Sequence, residues 1–299
     1  MPSTVRYDRL PTEAAHPRTT DLDRLTPEQL VRAMNREDNA AVRAVERSAK
    51  NIGRAIRLIA ACLRDGGRLF FVGAGTSGRL GVIEAAECPP TFSTPPSLVQ
   101  ALIAGGRGAV FRSKEGAEDD GAAGCNAVQR TAHAGDAVVG ITASGVTPFV
   151  DEALRCASTL GAATVLVACS GRSPIPADIR ILLATGPEVL AGSTRLKAGT
   201  ATKLALNRIT LGVMTQLGKT HGNLMVDVRP TSRKLRERAL RLVQTLAGAD
   251  RPAAERALGA SGGSVKLAVV MLRQGLDAVP ARRLLARSQS SLRAALEKG

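Results

Sequence analysis

Apolar residues recur at alternating steps of three and four over residues 42–63: Val42, Val45, Ala49, Ile52, Ile56, Ile59 and Leu63. That spacing draws one continuous stripe down a helix, which must pack along its length against a body or a partner subunit. The stripe predicts a long helix from about Glu37, ended by Asp65-Gly66-Gly67. Ahead of it, Thr26-Pro27-Glu28-Gln29 sets a hydroxyl cap, a proline at the first position and a glutamine at the third, which starts a shorter helix. Residues 1–24 are polar and show no period.

After Gly67 the pattern changes to short, nearly unbroken apolar runs. They fall at Arg68–Val72, Leu98–Ile103, Ala137–Thr142, Thr164–Ala168 and Ile179–Leu183. Helical stretches lie between most of them, at Ser77–Ala86 and Thr147–Leu160 among others. Strands apolar on both faces, alternating with helices, predict an α/β fold with a parallel sheet sandwiched by helices. A long helix is predicted over Lys197–Leu217, and helix resumes from about Leu235. Breaks at Gly248–Pro252, Gly259–Gly263 and Ala278–Pro280 divide the last stretch into a small helical bundle.

Composition narrows the function classes. The chain has 299 residues, of which 44% are hydrophobic and only 2% aromatic, so Ala, Leu and Val must fill the core. The N-terminus lacks the apolar segment of a secretion signal, and no apolar run approaches the ~20 residues that span a bilayer. A cytoplasmic protein with no membrane partner is expected. The net charge of +15 suggests nucleic acid, but from Arg229 to Gly299 there are 15 Lys+Arg against 5 Asp+Glu. Two thirds of the excess thus sits in the terminal helices, at the spacing of a solvated face. With five Phe and one Tyr there is no stacking platform for single strands, so no nucleic-acid partner is expected. The five cysteines are scattered without CxxC spacing, which argues against disulfides and zinc, and Cys88 reads as a buried, inert thiol. His16, His133 and His221 are isolated, so no metal is expected.

Ligands of parallel sheets sit beyond the carboxyl ends of the strands. Two small-residue turns rich in hydroxyls fall there, Gly73–Gly78 and Ala143–Thr147. In the first, a strand gives way to a helix, so backbone N–H groups and a positive helix end converge on an anion. Its Gly73, Gly75 and Gly78 match a dinucleotide fingerprint in spacing, but no acidic residue follows about 20 positions on. Thr76 and Ser77 suit a phosphate monoester better, and Ser144 and Thr147 repeat that chemistry. Gly218-Lys219-Thr220 is no P-loop, because Val213 stands where the first glycine belongs and a helix precedes it. Glu84 and Glu87 lie three apart on one helix and share a face, while Glu115 and Glu118 stand in an acidic patch. Arg195 and Lys197 are fixed cations before the long helix, of a kind that suits a phosphate or carboxylate.

Long ordered blocks carry a resemblance. GAGTSGRLGVIEAAECPPTF (73–92), LIAGG (102–106), EGAEDD (115–120), GITASGVTPFV (140–150), GPEVLAGSTRLKAGTATKLALN (186–207) and GNLMVDV (222–228) resemble the N-acetylmuramic acid 6-phosphate etherase family. The resemblance covers nearly the whole chain. It implies a sugar isomerase (SIS) domain at 59–228, an N-terminal helical arm at 1–58 and a C-terminal helical domain at 229–299. It also implies cleavage of the lactyl ether at carbon 3 of a sugar phosphate, in cell-wall amino-sugar recycling, with no cofactor and with a homodimer. By the same resemblance Glu87 is the acid/base residue and Glu118 the second catalytic glutamate. Ser77, Ser144 and Thr147 would hold the phosphate, helped by Thr76 and Thr142, with Gly75, Gly78, Gly145, Arg195 and Lys197 nearby. Val146, His16 and Ser170-Gly171 depart from the family pattern; the first would weaken a polar contact at the site mouth, and none touches the two glutamates or the hydroxyl turns. Two rival readings use the same domain: a sugar-phosphate-sensing regulator without catalysis, and an aldose–ketose isomerase. A SIS-type transcription factor would need a DNA-reading helix-turn-helix, which one short and one long N-terminal helix do not form.

Overall fold

The computed structural model describes residues 10–228, 230 and 232–297. The chain divides into two compact units. The first takes the described residues up to Ala85 together with Ser97–Thr210, and the second takes Ala86–Pro96 and the described residues from Leu211 onward.

The first unit is built on a five-stranded parallel sheet. Its strands are β1 (Leu69–Gly73), β2 (Val99–Ile103), β3 (Ala137–Thr142), β4 (Ala163–Ala168) and β5 (Ile179–Leu182), in the order β2-β1-β3-β4-β5. All five predicted strands are present within a residue or two, and every β1 and β3 residue is buried. The order turns at β1 and β3, where the topological switch places the carboxyl-end turns side by side.

Helices α1 (Pro27–Arg47) and α2 (Ala49–Arg64) precede the sheet. The capping box at Thr26 and Gln29 is formed, but the helix it starts runs through to Arg47. The expected long helix from Glu37 is therefore two helices, broken at Ser48, whose hydroxyl donates to the Leu182 carbonyl. Val45, Ile52, Ile59 and Leu63 of the stripe are buried, whereas Val42 is exposed. Helix α3 (Gly75–Phe92) follows β1, α4 (Gly121–Gln129) follows the acidic loop, α5 (Pro148–Thr159) follows β3 and α6 (Lys197–Gln216) follows β5.

Two cysteines depart from expectation. Cys125 on α4 and Cys156 on α5 form a disulfide, with Cα atoms 5.4 Å apart. A separation of 31 residues hid the pair. The packing of the two helices creates it: a Cβ on Gly124 would lie 2.1 Å from the Phe149 carbonyl oxygen, so only glycine allows the approach. Cys88 is buried, as read from its surroundings.

In the second unit a hairpin, Thr220–His221 paired with Leu224–Met225, leads to five helices. These are α7 (Arg233–Ala247), α8 (Arg251–Ala260), α9 (Val265–Gln274), α10 (Ala278–Arg287) and α11 (Leu292–Glu297). Leu240, Val243, Leu267, Val270 and Leu292 fill its core. Two of the predicted breaks hold; the third falls at Gly275–Asp277, because Pro280 sits in the first turn of α10, where its missing N–H costs nothing. Asp227 bridges Lys219 and buried Lys266 at 3.0 and 2.9 Å. Among the described residues, no helix is long and apolar enough to cross a membrane.

Candidate functional site

The turn after β1 is shaped by close backbone approach. A Cβ on Gly78 would lie 2.6 Å from both the Gly73 carbonyl oxygen and Ile103 Cγ1, and Gly75 turns at φ +51°. Helix α3 therefore starts directly after β1; the Gly78 N–H donates to the Ala74 carbonyl, which leaves the N–H groups of Gly75, Thr76 and Ser77 as those an anion would meet. Thr76 and Ser77 are half-buried there.

The turn after β3 is organised by Thr142, which is 1% exposed. Its Oγ1 lies 2.7 Å from Thr147 Oγ1 and 3.4 Å from Ser144 Oγ, and accepts from the Gly145 N–H at 3.1 Å. Gly145 has φ +82°, and a Cβ there would lie 3.0 Å from the Arg172 carbonyl oxygen. Thr142 thus sets the shape of the turn from below, while Ser144 and Thr147 keep half-exposed hydroxyls.

The acidic loop is tied to the same turn. The Phe149 N–H donates to the Glu118 carbonyl at 3.0 Å, and Asp120 caps α4 by accepting from Ala123 N–H at 2.8 Å. A cavity of about 110 Å³ lies between this loop and the β1 turn, lined by Ala74, Gly75, Arg79, Ala104, Lys114 and Glu118. Burial pushes the Glu118 carboxyl above its ordinary range, and the charges of Asp119 and Glu115 add to the rise. The cations here are committed to the backbone. Arg79 donates to the Val110 and Ala109 carbonyls, and Lys114 to that of Gly105.

The two glutamates of α3 have different surroundings. Glu84 is buried, with Lys203 and Thr210 on its two oxygens. Glu87, in the Ala86–Pro96 segment of the second unit, is exposed.

Lys197 and Arg195 also part company. Lys197 is 3% exposed, and its ammonium donates to Glu37 at 2.8 Å. His16 Nε2 lies 3.1 Å from the same oxygen, and Arg18 pairs with the other one. Burial raises the Glu37 pKa, but the hydrogen bond and charge of Lys197 and the contact with His16 outweigh it and bring it to about 2. This cluster fastens the N-terminal segment and α1 to the start of α6, so Lys197 is occupied. Arg195 is exposed and has no partner among the described residues. The N-terminus of α6 is also taken: the fully buried Glu188 accepts from the N–H groups of Lys197 and Ala198 at 3.0 and 2.8 Å. Sequence reasoning missed Glu188, Glu37 and Lys203. Their only local signal is an acid or lysine within an otherwise apolar or small-residue stretch. Among the described residues no group of three or more His, Cys, Asp or Glu side chains converges on a metal site.

A parallel sheet with hydroxyl-bearing turns at its switch point is the frame of a SIS domain, and residues 51–158 match the model of the glucokinase regulatory protein N-terminal SIS domain. A phosphoheptose isomerase from Francisella tularensis superposes with a TM-score of 0.49 at 16% identity, over 62% of this chain and 98% of that one. Relatives in sequence reach further. The N-acetylmuramic acid 6-phosphate etherase of Nostoc punctiforme is 53% identical over 99% of this chain and 97% of its own length. That of Synechocystis sp. is 47% identical over 99% of both. The chain belongs to the N-acetylmuramic acid 6-phosphate etherase family.

Proposed function

We propose that this chain cleaves the D-lactyl ether of N-acetylmuramic acid 6-phosphate, giving N-acetylglucosamine 6-phosphate and D-lactate in cell-wall amino-sugar recycling. The observation that carries the reading is near-full-length identity of 47–53% to etherases. The hydroxyl turns and the glutamates of the family motifs support it. Ser77, Ser144 and Thr147 would take the 6-phosphate, with Thr76, the first-turn N–H groups of α3 and the turn-shaping Thr142.

The chemistry needs one base and one acid. In the open-chain sugar the carbon 2 proton lies beside the aldehyde. Glu118 would remove it, and a carboxylate of raised pKa is a stronger base for that task. The resulting enolate expels the lactate oxygen from carbon 3, with Glu87 supplying the proton. Water then adds at carbon 3, Glu87 takes its proton, and carbon 2 is reprotonated. No cofactor is required. Glu87→Gln is expected to abolish lactate release while still allowing exchange of the carbon 2 proton; retained release would remove Glu87 from the mechanism. We also expect two copies to associate, which sedimentation will check.

The decisive test is turnover in water enriched in heavy oxygen, followed by mass spectrometry. Label at carbon 3 of the sugar with free D-lactate supports elimination and hydration. Label in the lactate means displacement at lactate instead. No turnover with tight sugar-phosphate binding favours a regulator. Conversion of an aldose phosphate to a ketose without lactate favours an isomerase.

A further inference from the structure

One cation on α6 keeps part of its side chain in solvent. Lys203 on α6 donates to the buried Glu84 and to Asn207 Oδ1, and Thr210 Oγ1 donates to the other Glu84 oxygen at 2.6 Å. The Lys203 side chain is nevertheless 37% exposed, and Asn207 is exposed too. Gly199, Lys203, Asn207 and Thr210 follow one another at steps of four, four and three, so they form one stripe on α6. A Cβ on Gly199 would lie 3.7 Å from Thr76 Cγ2. The stripe therefore starts beside the hydroxyls of the β1 turn, and Lys203 stands one helical turn, about 6 Å, further along.

A counterion needed only to neutralise Glu84 would be best placed beneath the surface with it. Here the carboxylate is buried while the lysine side chain is 37% exposed, so an approaching anion meets the lysine first. Two of its three N–H donors are anchored, which fixes the direction of the third. The anchoring lowers the entropy cost of a further hydrogen bond. The neighbouring cations are less suited: Arg79 and Lys114 are spent on carbonyls, Lys197 is buried against Glu37, and nothing fixes Arg195.

The substrate of the reading above carries two anions, a phosphate and the carboxylate of its lactyl group. The hydroxyl turns account for the first alone. We propose that Lys203, held by Glu84 and assisted by the amide N–H of Asn207, receives the lactyl carboxylate and so distinguishes substrate from product. The inference rests on that functional reading, and N-acetylglucosamine 6-phosphate, which has the phosphate and lacks the carboxylate, separates the two.

The test compares KM for N-acetylmuramic acid 6-phosphate with the inhibition constant of N-acetylglucosamine 6-phosphate, in the full chain and in Lys203→Met and Lys203→Arg. Lys203→Met is expected to raise KM by about 10- to 100-fold, the range of one charge-assisted hydrogen bond. The product constant is expected to move by less than about threefold, and Lys203→Arg to recover part of the loss. Equal weakening of both sugars, or no change in either, overturns the proposal. Should Lys203→Met fail to fold with Glu84 unpaired, Glu84→Gln/Lys203→Met removes both charges and is judged by the same ratio. A wild-type chain that prefers the lactyl sugar in equilibrium binding but releases no lactate overturns the etherase reading alone. One that binds both sugars equally overturns the role of Lys203.

Discussion

At Glu118 burial raises the proton affinity most, and crowding of like charge adds to it. Glu115 and Asp119 sit on the same loop, and both oppose its ionisation. If Glu118 is the base, the acidic limb of kcat/KM is expected above the ordinary carboxylate range. Asp119→Asn should move that limb to lower pH, because it removes a charge that holds the proton on. A pH–rate profile of both proteins checks this, and an unmoved limb would assign it to another group. Glu37 has the opposite sign. Its folded pKa of about 2 lies below the ordinary 4.5, so the stability it contributes is complete above that ordinary value. It is lost as pH falls from about 4.5 towards 2. Urea midpoints across that window should fall less steeply in Glu37→Gln than in the parent. Gly78 meets a steric limit: a Cβ there lies 2.6 Å from a carbonyl oxygen and a side-chain carbon. Gly78→Ala is expected to cost about 1–3 kcal/mol in urea unfolding, the usual penalty of overpacking.

At the scale of elements, α4 and α5 are joined by the Cys125–Cys156 bond. A crosslink closing a loop of this length restricts the unfolded chain, and its loss should cost about 2–4 kcal/mol. Cys125→Ser should therefore melt below the oxidised parent and alongside the parent in dithiothreitol. How far these elements could be read from sequence follows from what forms them. The five strands were legible because burial on both faces leaves an unbroken apolar run, as at Ala137–Thr142. The Thr26 cap was legible because its partners lie within four residues. The break at Ser48 was not, because it answers a carbonyl on β5 more than a hundred residues away. The disulfide was hidden for the same reason. The hydroxyl turns could be read as an anion site from their place between strand and helix. Sequence could not tell that Lys197 would be buried and Lys203 left facing outward, since that choice is made by Glu37 and Glu84 from other helices.

For the molecule as a whole, the charge of +15 and the candidate chemistry fall in different places. The arginines of α7 lie mostly on its exposed positions, around a buried face of Ala239, Leu240, Leu242 and Val243. On the proposed reading the phosphate would instead be held by hydroxyls and backbone N–H groups, with few free cations beside them. Recognition of that kind is short-range, and salt should affect it less than it affects the basic helices. The same economy governs the two helices that begin after β1 and β5. Each offers a positive end, but the chain plugs one of them with its own Glu188. That carboxylate does within the chain what a bound anion would do at an open helix start. Glu188→Gly would vacate it, and a small carboxylate such as acetate, added to the solvent, should then restore the lost stability in the mutant and leave the parent unchanged.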